Sequence, residues 1–158
     1  MILKTIQLKK GEILQRKGDL NSKVYQVTSG LLRSYSIDEQ GKEHIFMFAP
    51  ENWIVADSRT KDSPADLFID ALEDSEVIVL EKQFTEAQNH QEKLLRRVSV
   101  LQKRVILLMS ASAIERYESF VESYPEIIQR VPQRMIASYL GITPESLSRV
   151  KKEKYDSK

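Results

Sequence analysis

The sequence predicts an α+β protein: an N-terminal antiparallel β-roll, one long helix and a C-terminal helix-turn-helix. Before about residue 85, short runs rich in β-branched and aromatic residues alternate with turn-forming residues. From about residue 92 to residue 112, apolar residues recur at helical spacing, and near the C-terminus two short helical patterns meet at Gly141. We therefore divide the chain into a roll at 1–90, a long helix at 91–112 and a helical domain at 113–158.

The roll is predicted from six strand-like runs. They are KTIQL (4–8), EILQR (12–16), KVYQV (23–27), LLRSYSI (31–37), EHIFMFA (43–49) and EVIVLEK (76–82). Turn signals that contain Gly11, Gly18, Gly30 and Gly41 lie in or beside the connections. Short strands that are interrupted by a turn about every 8–12 residues are typical of all-β sandwiches and rolls.

Composition places the chain among globular proteins rather than disordered ones. Of its 158 residues, 41% are hydrophobic and 30% are charged, and the formal net charge is only +1. No cysteine occurs, which excludes disulfides, thiolate metal sites and a cysteine nucleophile. The longest apolar run, VILLM at 105–109, is too short to span a bilayer, and the N-terminus lacks the apolar core of a signal peptide. We therefore expect a soluble, cytoplasmic protein with no membrane association.

The sequence contains no recognisable catalytic pattern. A metal enzyme built on a β-roll needs several histidines and a carboxylate that converge inside the roll, and the chain contains only His44 and His90. Neither a glycine-rich phosphate-binding loop nor a G-x-S-x-G nucleophile motif occurs. We expect no enzyme activity, no metal site and no cofactor.

The long helix carries an apolar seam that suggests a dimer contact. Its steps of four and three residues match the heptad pattern of coiled coils, and the seam consists of Leu94, Val98, Leu101, Val105 and Leu108. A second apolar flank, at Leu95, Val100 and Leu107, could pack within the protomer while the seam meets a partner. The alternative is that the seam itself packs on the roll.

The C-terminal stretch VPQRMIASYLGITPESLSRVKKE, residues 131–153, has the features of a helix-turn-helix. It follows a small-residue break, SASA at 110–113, and a further helical segment. Pro132 suits the first turn of the first helix, and Gly141 suits its left-handed end. Thr143 is a suitable N-cap for the second helix, and Pro144 is a suitable first residue. The predicted inward-facing residues are Ile136, Ala137, Leu140, Ile142, Leu147 and Val150.

The second helix presents a polar stripe that suits base recognition in the major groove of DNA. The stripe consists of Glu145, Ser148, Arg149 and Lys152. Arg149 could donate two hydrogen bonds to guanine, and Glu145 could accept one from cytosine. Phosphate contacts are expected from Gln133, Arg134, Thr143 and Lys151, and residues 133–154 contain five cations but only two carboxylates. The alternative interpretation is an ordinary helical hairpin with a solvated charged face.

With these parts in this order, nearly the whole chain resembles the cyclic-AMP receptor protein/FNR (Crp/Fnr) family of bacterial transcription regulators. The stretch KGEILQRKGDLNSKVYQVTSGLLRSYSIDEQGKEHIFMFAPENW resembles the family's effector domain, a cyclic-nucleotide-binding-like roll. YLGITPESLSRVKKE resembles its recognition unit, and Glu145 and Arg149 match positions where the family reads bases. The resemblance implies a homodimer joined through the long helix, with each recognition helix in one half-site of a palindrome.

Departures from the family pattern change what the resemblance implies. The family's nucleotide cassette holds a phosphate with a glycine–glutamate pair and an arginine, whereas the matching stretch ENWIVADSRTKDSPADLFIDALEDS contains no glycine. Its single arginine, Arg59, precedes the stretch at 63–65 where the family's arginine is expected. Cyclic AMP is therefore not the expected effector, and we expect Arg59 to be a surface residue. The lack of cysteine excludes the iron–sulfur sensing of one family branch. We expect the family's N-terminal helix and C-terminal wing to be short or missing.

The sequence thus predicts a homodimeric, sequence-specific DNA-binding regulator whose partners are double-stranded DNA and a second copy of itself. RNA polymerase is a further candidate partner, and the small-molecule effector is unknown. The alternative is a ligand-sensing roll that regulates a protein partner, with the last two helices as a docking hairpin. The dependence of binding affinity on salt concentration distinguishes the regulator from the docking hairpin, because binding to DNA releases counterions.

Overall fold

The computed structural model describes residues 4–82 and 90–156, except for the side chains of residues 90–94. The chain divides into two compact units, Met1–Glu86 and Ala87–Lys158. The first unit contains the described strands, and the second contains the described helices.

The first unit is a roll of two antiparallel sheets. Its described strands are β1 (Lys4–Leu8), β2 (Ile13–Gln15), β3 (Val24–Ser29), β4 (Leu32–Ile37), β5 (Glu43–Ala49), β6 (Ile54–Ala56), β7 (Phe68–Ala71) and β8 (Ser75–Leu80). One sheet has the strand order β1-β8-β3-β6, and the other has the order β2-β7-β4-β5. The pairings between these strands are antiparallel, as the sequence predicts.

An apolar core lies within the roll. It includes Val27, Leu32, Val55, Ile69 and Val77, none of which has any exposed surface. Burial of an aliphatic side chain of this size contributes about 1.5–3 kcal/mol. β-Branched residues also suit the crowded, pleated surface of a sheet, so the valines and the isoleucine in this set favour both the strands and their packing.

All six strands predicted from the sequence are present, with ends that differ by two residues at most. Two further strands, β6 and β7, lie in the stretch 51–75, where the sequence indicates no strand. They contain three and four residues, IVA and FIDA, and neither run alternates between apolar and polar residues. β6 pairs with β3, and β7 pairs with both β2 and β4, so contacts distant in sequence determine them.

A buried ion pair lies on the second sheet. The guanidinium of Arg33 donates to both carboxylate oxygens of Asp70, at N–O distances of 2.8 and 3.0 Å, and it also donates to Glu43. The side chains of Arg33 and Asp70 are only 7% and 10% exposed. Because a buried charge without its partner is costly, this pair favours the observed register of β4 with β7.

The second unit contains the helices α1 (His90–Ser110), α2 (Ala113–Ser123), α3 (Ile127–Arg130), α4 (Gln133–Leu140) and α5 (Pro144–Asp156). The small-residue break at 110–113 is a helix boundary, because α1 ends at Ser110 and Ser112 caps α2. The Ser112 hydroxyl accepts from the N–H of Glu115, and the Glu115 carboxylate accepts from the N–H of Ser112. No helix in the described part of the chain is long and apolar enough to cross a membrane.

Helices α2, α4 and α5 contact one another around a small core. Phe120 of α2 is 2% exposed, and its ring centre lies 5.3 Å from those of both Tyr124 and Tyr139. Burial is the main cause that raises the pKa of Tyr124. This aromatic cluster packs α4 against α2.

Candidate nucleic-acid interface

Helices α4 and α5 meet at a turn whose geometry depends on Gly141. This glycine has φ +66° and ψ +32°, the left-handed conformation that the sequence predicts. The N–H of Ile142 donates to the carbonyl of Ala137 at 3.0 Å, and the N–H of Gly141 donates to the carbonyl of Ser138 at 3.2 Å. These bonds satisfy carbonyls at the end of α4, so the chain turns at once into the next helix.

The start of α5 is capped as predicted, whereas the start of α4 differs by one residue. The Thr143 hydroxyl accepts from the N–H of Ser146 at 3.1 Å, and Pro144 is the first helical residue. The sequence predicts Pro132 in the first turn of α4, but this residue is the N-cap, with an extended backbone. Its carbonyl accepts from the N–H groups of Met135 and Ile136, so the helical residues begin one position later, at Gln133.

The inward faces of α4 and α5 are buried as predicted. Ile136, Ala137 and Leu140 are at most 2% exposed, and Leu147 and Val150 are at most 5% exposed. Ala137 has the smallest side chain of the five and lies in the middle of a helix that contacts both α2 and α5. Because the side chains at the contact set the distance between two helix axes, Ala137 allows α4 to lie close to its neighbours.

We expect Ala137→Leu to destabilise the second unit and to displace α5. The Ala137 side chain is 1% exposed, and the insertion of additional carbon atoms into a packed core costs about 1–3 kcal/mol. In a chain of this length that cost corresponds to a fall in melting temperature of about 2–10 °C. Calorimetry measures it, with Gln133→Leu on the exposed side of the same helix as the control. An Ala137→Leu protein as stable as the wild type would contradict the close packing.

The residues predicted to read bases lie together on the outer side of α5. All four are exposed: Glu145, Ser148, Arg149 and Lys152. Leu147 and Val150, on the opposite side of the helix, are buried. Residues three and four apart share one side of a helix, so the four side chains form a continuous strip, which we call the recognition face.

One cation of α5 lies outside the recognition face. The Lys154 ammonium is 3.7 Å from the carboxylate of Glu118 and 5.7 Å from the centre of the Tyr117 ring, both on α2. Lys154 therefore helps to hold the end of α5 against α2. Because it has the same charge as Arg149 but a different role, it provides a matched control for substitutions on the recognition face.

The residues predicted to contact phosphates are Gln133, Arg134, Thr143 and Lys151. The first two are exposed at the start of α4, where no side chain caps the helix. The N–H groups of a first helical turn lack intrahelical acceptors, and together with the helix dipole they attract phosphate. Lys151 is half-buried. The Thr143 hydroxyl already donates to Ser146 Oγ at 3.1 Å, so a phosphate contact from that hydroxyl would compete with the cap of α5.

Two arginines that the sequence interpretation did not assign connect the end of α1 to α4. Arg116 donates to the carbonyl of Leu108 in the last turn of α1 at 2.7 Å, to that of Ala111 just after this helix at 3.1 Å, and to that of Leu140 at 3.3 Å. Arg104 donates to the carbonyl of Tyr139 at 3.2 Å, and its guanidinium lies 3.9 Å from the centre of that ring. Cations near helix C-termini satisfy the last carbonyls and the dipole. These contacts orient the helix-turn-helix relative to α1, and no periodicity in the sequence marks them.

Helix α1 exposes much of the predicted seam. Val98 and Val105 are 51% and 52% exposed, and Leu101 is half-buried. Leu108 is also half-buried and lies close to Gly141. Its Cδ2 atom is 3.7 Å from the point where a Cβ atom would lie if residue 141 had a side chain. The side chain of Leu94 lies outside the described residues.

The second apolar flank of α1 is also largely exposed. Leu95 and Val100 are 62% and 52% exposed, and Ile106 and Met109 nearby are 62% and 80% exposed. Leu107, by contrast, is half-buried. Several large apolar side chains of one helix are thus exposed, which is a feature of surfaces that contact a partner.

Residues 5–89, more than half of the chain, match the cyclic nucleotide-binding domain family. The chain belongs to this family. The matched residues contain every strand of the roll from β2 to β8 and most of β1.

Bacterial regulators resemble this cyclic nucleotide-binding domain protein over almost its full length. The transcriptional activator protein anr of Pseudomonas aeruginosa is 28% identical over 163 residues, which cover 90% of this chain and 67% of that protein. The chain spans 63–67% of the length of its sequence relatives. FixK2 from Bradyrhizobium japonicum has a similar structure, with a TM-score of 0.83, 20% identity, and coverage of 99% of this chain and 86% of that one.

A further solved structure carries the name of the family predicted from the sequence. TTHA1359, a CRP/FNR-family transcriptional regulator from Thermus thermophilus, has a TM-score of 0.71 and 14% identity over 98% of this chain and 87% of its own. These structures confirm the α+β architecture, and the family match and the sequence relatives confirm the resemblance to the Crp/Fnr family.

The stretch that resembles the family's nucleotide cassette has no arginine at the expected position. Arg59 forms an ion pair with Asp66 at 2.6 Å, and both side chains are about half exposed, so Arg59 is a surface residue as expected. Ala65, in the stretch where the family's arginine is expected, is 2% exposed. A phosphate at this point would therefore receive no charge-assisted hydrogen bond from position 65, and the arginine at position 59 is already paired.

Proposed function

We propose that this protein is a sequence-specific DNA-binding transcription regulator of the Crp/Fnr type that acts as a homodimer. The recognition face of α5 carries the proposal: a polar strip on the second helix of a glycine-turn pair, opposite a fully packed inner side. In a helix-turn-helix, the second helix enters the major groove and presents such a strip to the bases. The sequence relatives and structural neighbours, which are named as regulators, support the same conclusion.

The side chains of the recognition face have the chemistry that base recognition requires. Arg149 donates in a fork to O6 and N7 of guanine, and Glu145 accepts from N4 of cytosine. Ser148 lies between them on the same strip and can donate or accept. Lys152 extends the strip by one turn toward a further base or phosphate.

Phosphate contacts position this face on the duplex. The uncapped start of α4 offers two backbone N–H groups to a phosphate, and the Arg134 side chain adds a cation beside them. Lys151 flanks the recognition face on α5. Contacts of this kind fix the register of a protein on DNA without reading its sequence.

Helix α1 forms the dimer interface of the proposed regulator. The seam of Val98, Leu101, Val105 and Leu108, with Leu94 as its first member, would pair with the same seam of a second copy. A two-fold dimer places its recognition helices about 34 Å apart, in successive major grooves of a palindromic site. Such a dimer acts on cytoplasmic DNA and can meet RNA polymerase at a promoter. Its small-molecule effector, which is not cyclic AMP, is unassigned.

The affinity for DNA should fall steeply as salt rises. Arg134 and Lys151 provide about four phosphate contacts per dimer, which predicts a slope of about −3.6 for the logarithm of affinity against the logarithm of salt concentration. Fluorescence anisotropy between 50 and 200 mM salt should therefore show a loss of about 100-fold. The double variant Arg134→Gln, Lys151→Gln should reduce the slope and weaken binding to all DNA sequences equally.

The same titration tests the alternative in which α4 and α5 dock on a protein. A DNA affinity that is unmeasurable at every salt concentration would reject the proposed function. An unchanged slope and an unchanged affinity in the double variant would reject only the assignment of Arg134 and Lys151 as phosphate contacts.

A further inference from the structure

The carboxylate of Asp57 lies among backbone N–H donors inside the roll. Asp57 follows β6 and is 5% exposed. Its Oδ2 atom accepts hydrogen bonds from the N–H groups of Asp66 and Leu67, both at 2.8 Å. Its Oδ1 atom accepts from the N–H of Arg59, also at 2.8 Å. Proteins use converging backbone N–H groups of this kind to bind phosphate and carboxylate groups.

Two further side chains complete the surroundings of Asp57. Gln15, which is 2% exposed, donates to the carbonyl of Leu67 at 2.8 Å, and the same amide nitrogen lies 3.5 Å from Asp57 Oδ2. The Lys82 ammonium donates to the backbone carbonyls of Asp57 and Arg59, at 2.9 and 2.5 Å. The site thus combines backbone donors, a buried amide and a nearby cation, as an anion site requires.

The segment around Asp57 is closed against the turn between β2 and β3. The N–H of Gly18 donates to the carbonyl of Ala65 at 2.8 Å, and the N–H of Ala65 donates to the carbonyl of Asp19 at 2.9 Å. The N–H of Asn21 donates to the carbonyl of Lys61 at 2.7 Å. An anion from solution would have to displace the carboxylate and also break these contacts.

We propose that this roll contains an oxyanion site that is permanently occupied by the chain's own Asp57 carboxylate. The segment lies within the matched domain, residues 5–89, and within the stretch that the resemblance assigns to the nucleotide cassette. Asp57 therefore takes the place of a soluble anionic ligand, and the roll keeps its shape without one. The inference concerns the roll alone and does not depend on DNA binding by the second unit.

Removal of the carboxylate should open the site to a small anion. In Asp57→Ala, three backbone N–H groups lose their acceptor, and we expect the melting temperature of the full chain to fall by about 10 °C. Sodium formate, a free carboxylate of matching size, should raise the melting temperature of this variant by about 3 °C in a saturable manner, compared with sodium chloride at equal ionic strength. The wild type should show no such gain. A folded Asp57→Ala protein that formate does not stabilise would overturn the proposal.

Two controls make the result decisive. Asp62→Ala removes an exposed carboxylate from the same segment and should behave like the wild type. In the wild type, the amide resonances of Arg59, Asp66 and Leu67 should exchange slowly with solvent and should not shift with inorganic phosphate or cyclic AMP. Shifts of these three amides on addition of either compound would overturn the proposal, even if Asp57→Ala fails to fold.

Discussion

Replacement of Arg149 by alanine should remove most of the discrimination between a preferred DNA site and unrelated DNA, while the dimer stays intact. A forked contact to guanine contributes about 1–3 kcal/mol of discrimination, which is about 10- to 100-fold for each half-site. Arg149 is exposed, so its removal leaves the core of the second unit unchanged. Binding to unrelated DNA should weaken only modestly, because the phosphate contacts are retained.

The matched control is Lys154→Ala, which removes the same charge from the same helix. Since Lys154 contacts Glu118 on α2, this change should weaken the preferred and the unrelated site equally or leave both unaffected. The preferred site comes from selection in a random library, and competition footprinting measures the ratio of affinities. Equal footprints for Arg149→Ala and the wild type would show that the recognition face does not read that base pair.

An aspartate on the α1 seam should separate the dimer and weaken DNA binding at the same time. Val98→Asp or Leu101→Asp places a carboxylate in an apolar contact, where a charge without a partner is strongly unfavourable. Sedimentation should then show a monomer. Its affinity for a palindromic site should fall by about 100-fold or more, because the second half-site no longer binds from a high effective concentration.

Ser99→Asp is the control for this experiment. It adds the same charge to the same helix at an exposed position outside the seam, and it should leave both the dimer and the affinity unchanged. A monomeric Leu101→Asp protein with wild-type DNA affinity would contradict the proposal that the two subunits of a dimer bind the two half-sites together. A variant that remains dimeric would contradict the seam as the interface.

The helix-turn-helix is the part of the structure that could be read most fully from the sequence. The left-handed turn at Gly141, the Thr143 cap and the first position of Pro144 depend on backbone preferences within a few residues. The buried and exposed sides of α5 follow from helical periodicity alone. Local rules therefore predicted the local geometry of this motif, except that Pro132 is the N-cap of α4 rather than a residue of its first turn.

Other structural features could not be predicted from short stretches of sequence, because the residues that they contact are distant in sequence. β6 and β7 show no alternation of apolar and polar residues, and they form because β3, β2 and β4 provide their hydrogen-bond partners. Arg116 gives no periodic signal either, since its acceptor carbonyls lie in the last turns of α1 and α4 and in the link that follows α1.

The sequence by itself determined the β-roll, the long helix, the glycine turn and the side of α5 that faces outward, because periodicity and local backbone preference encode these features. Only the tertiary structure decided that Asp57 is surrounded by backbone donors and that Arg33 is buried against Asp70. An isolated aspartate or arginine in a sequence is consistent with a solvated surface. Its role is settled by the donors and acceptors that folding brings to it from positions far along the chain.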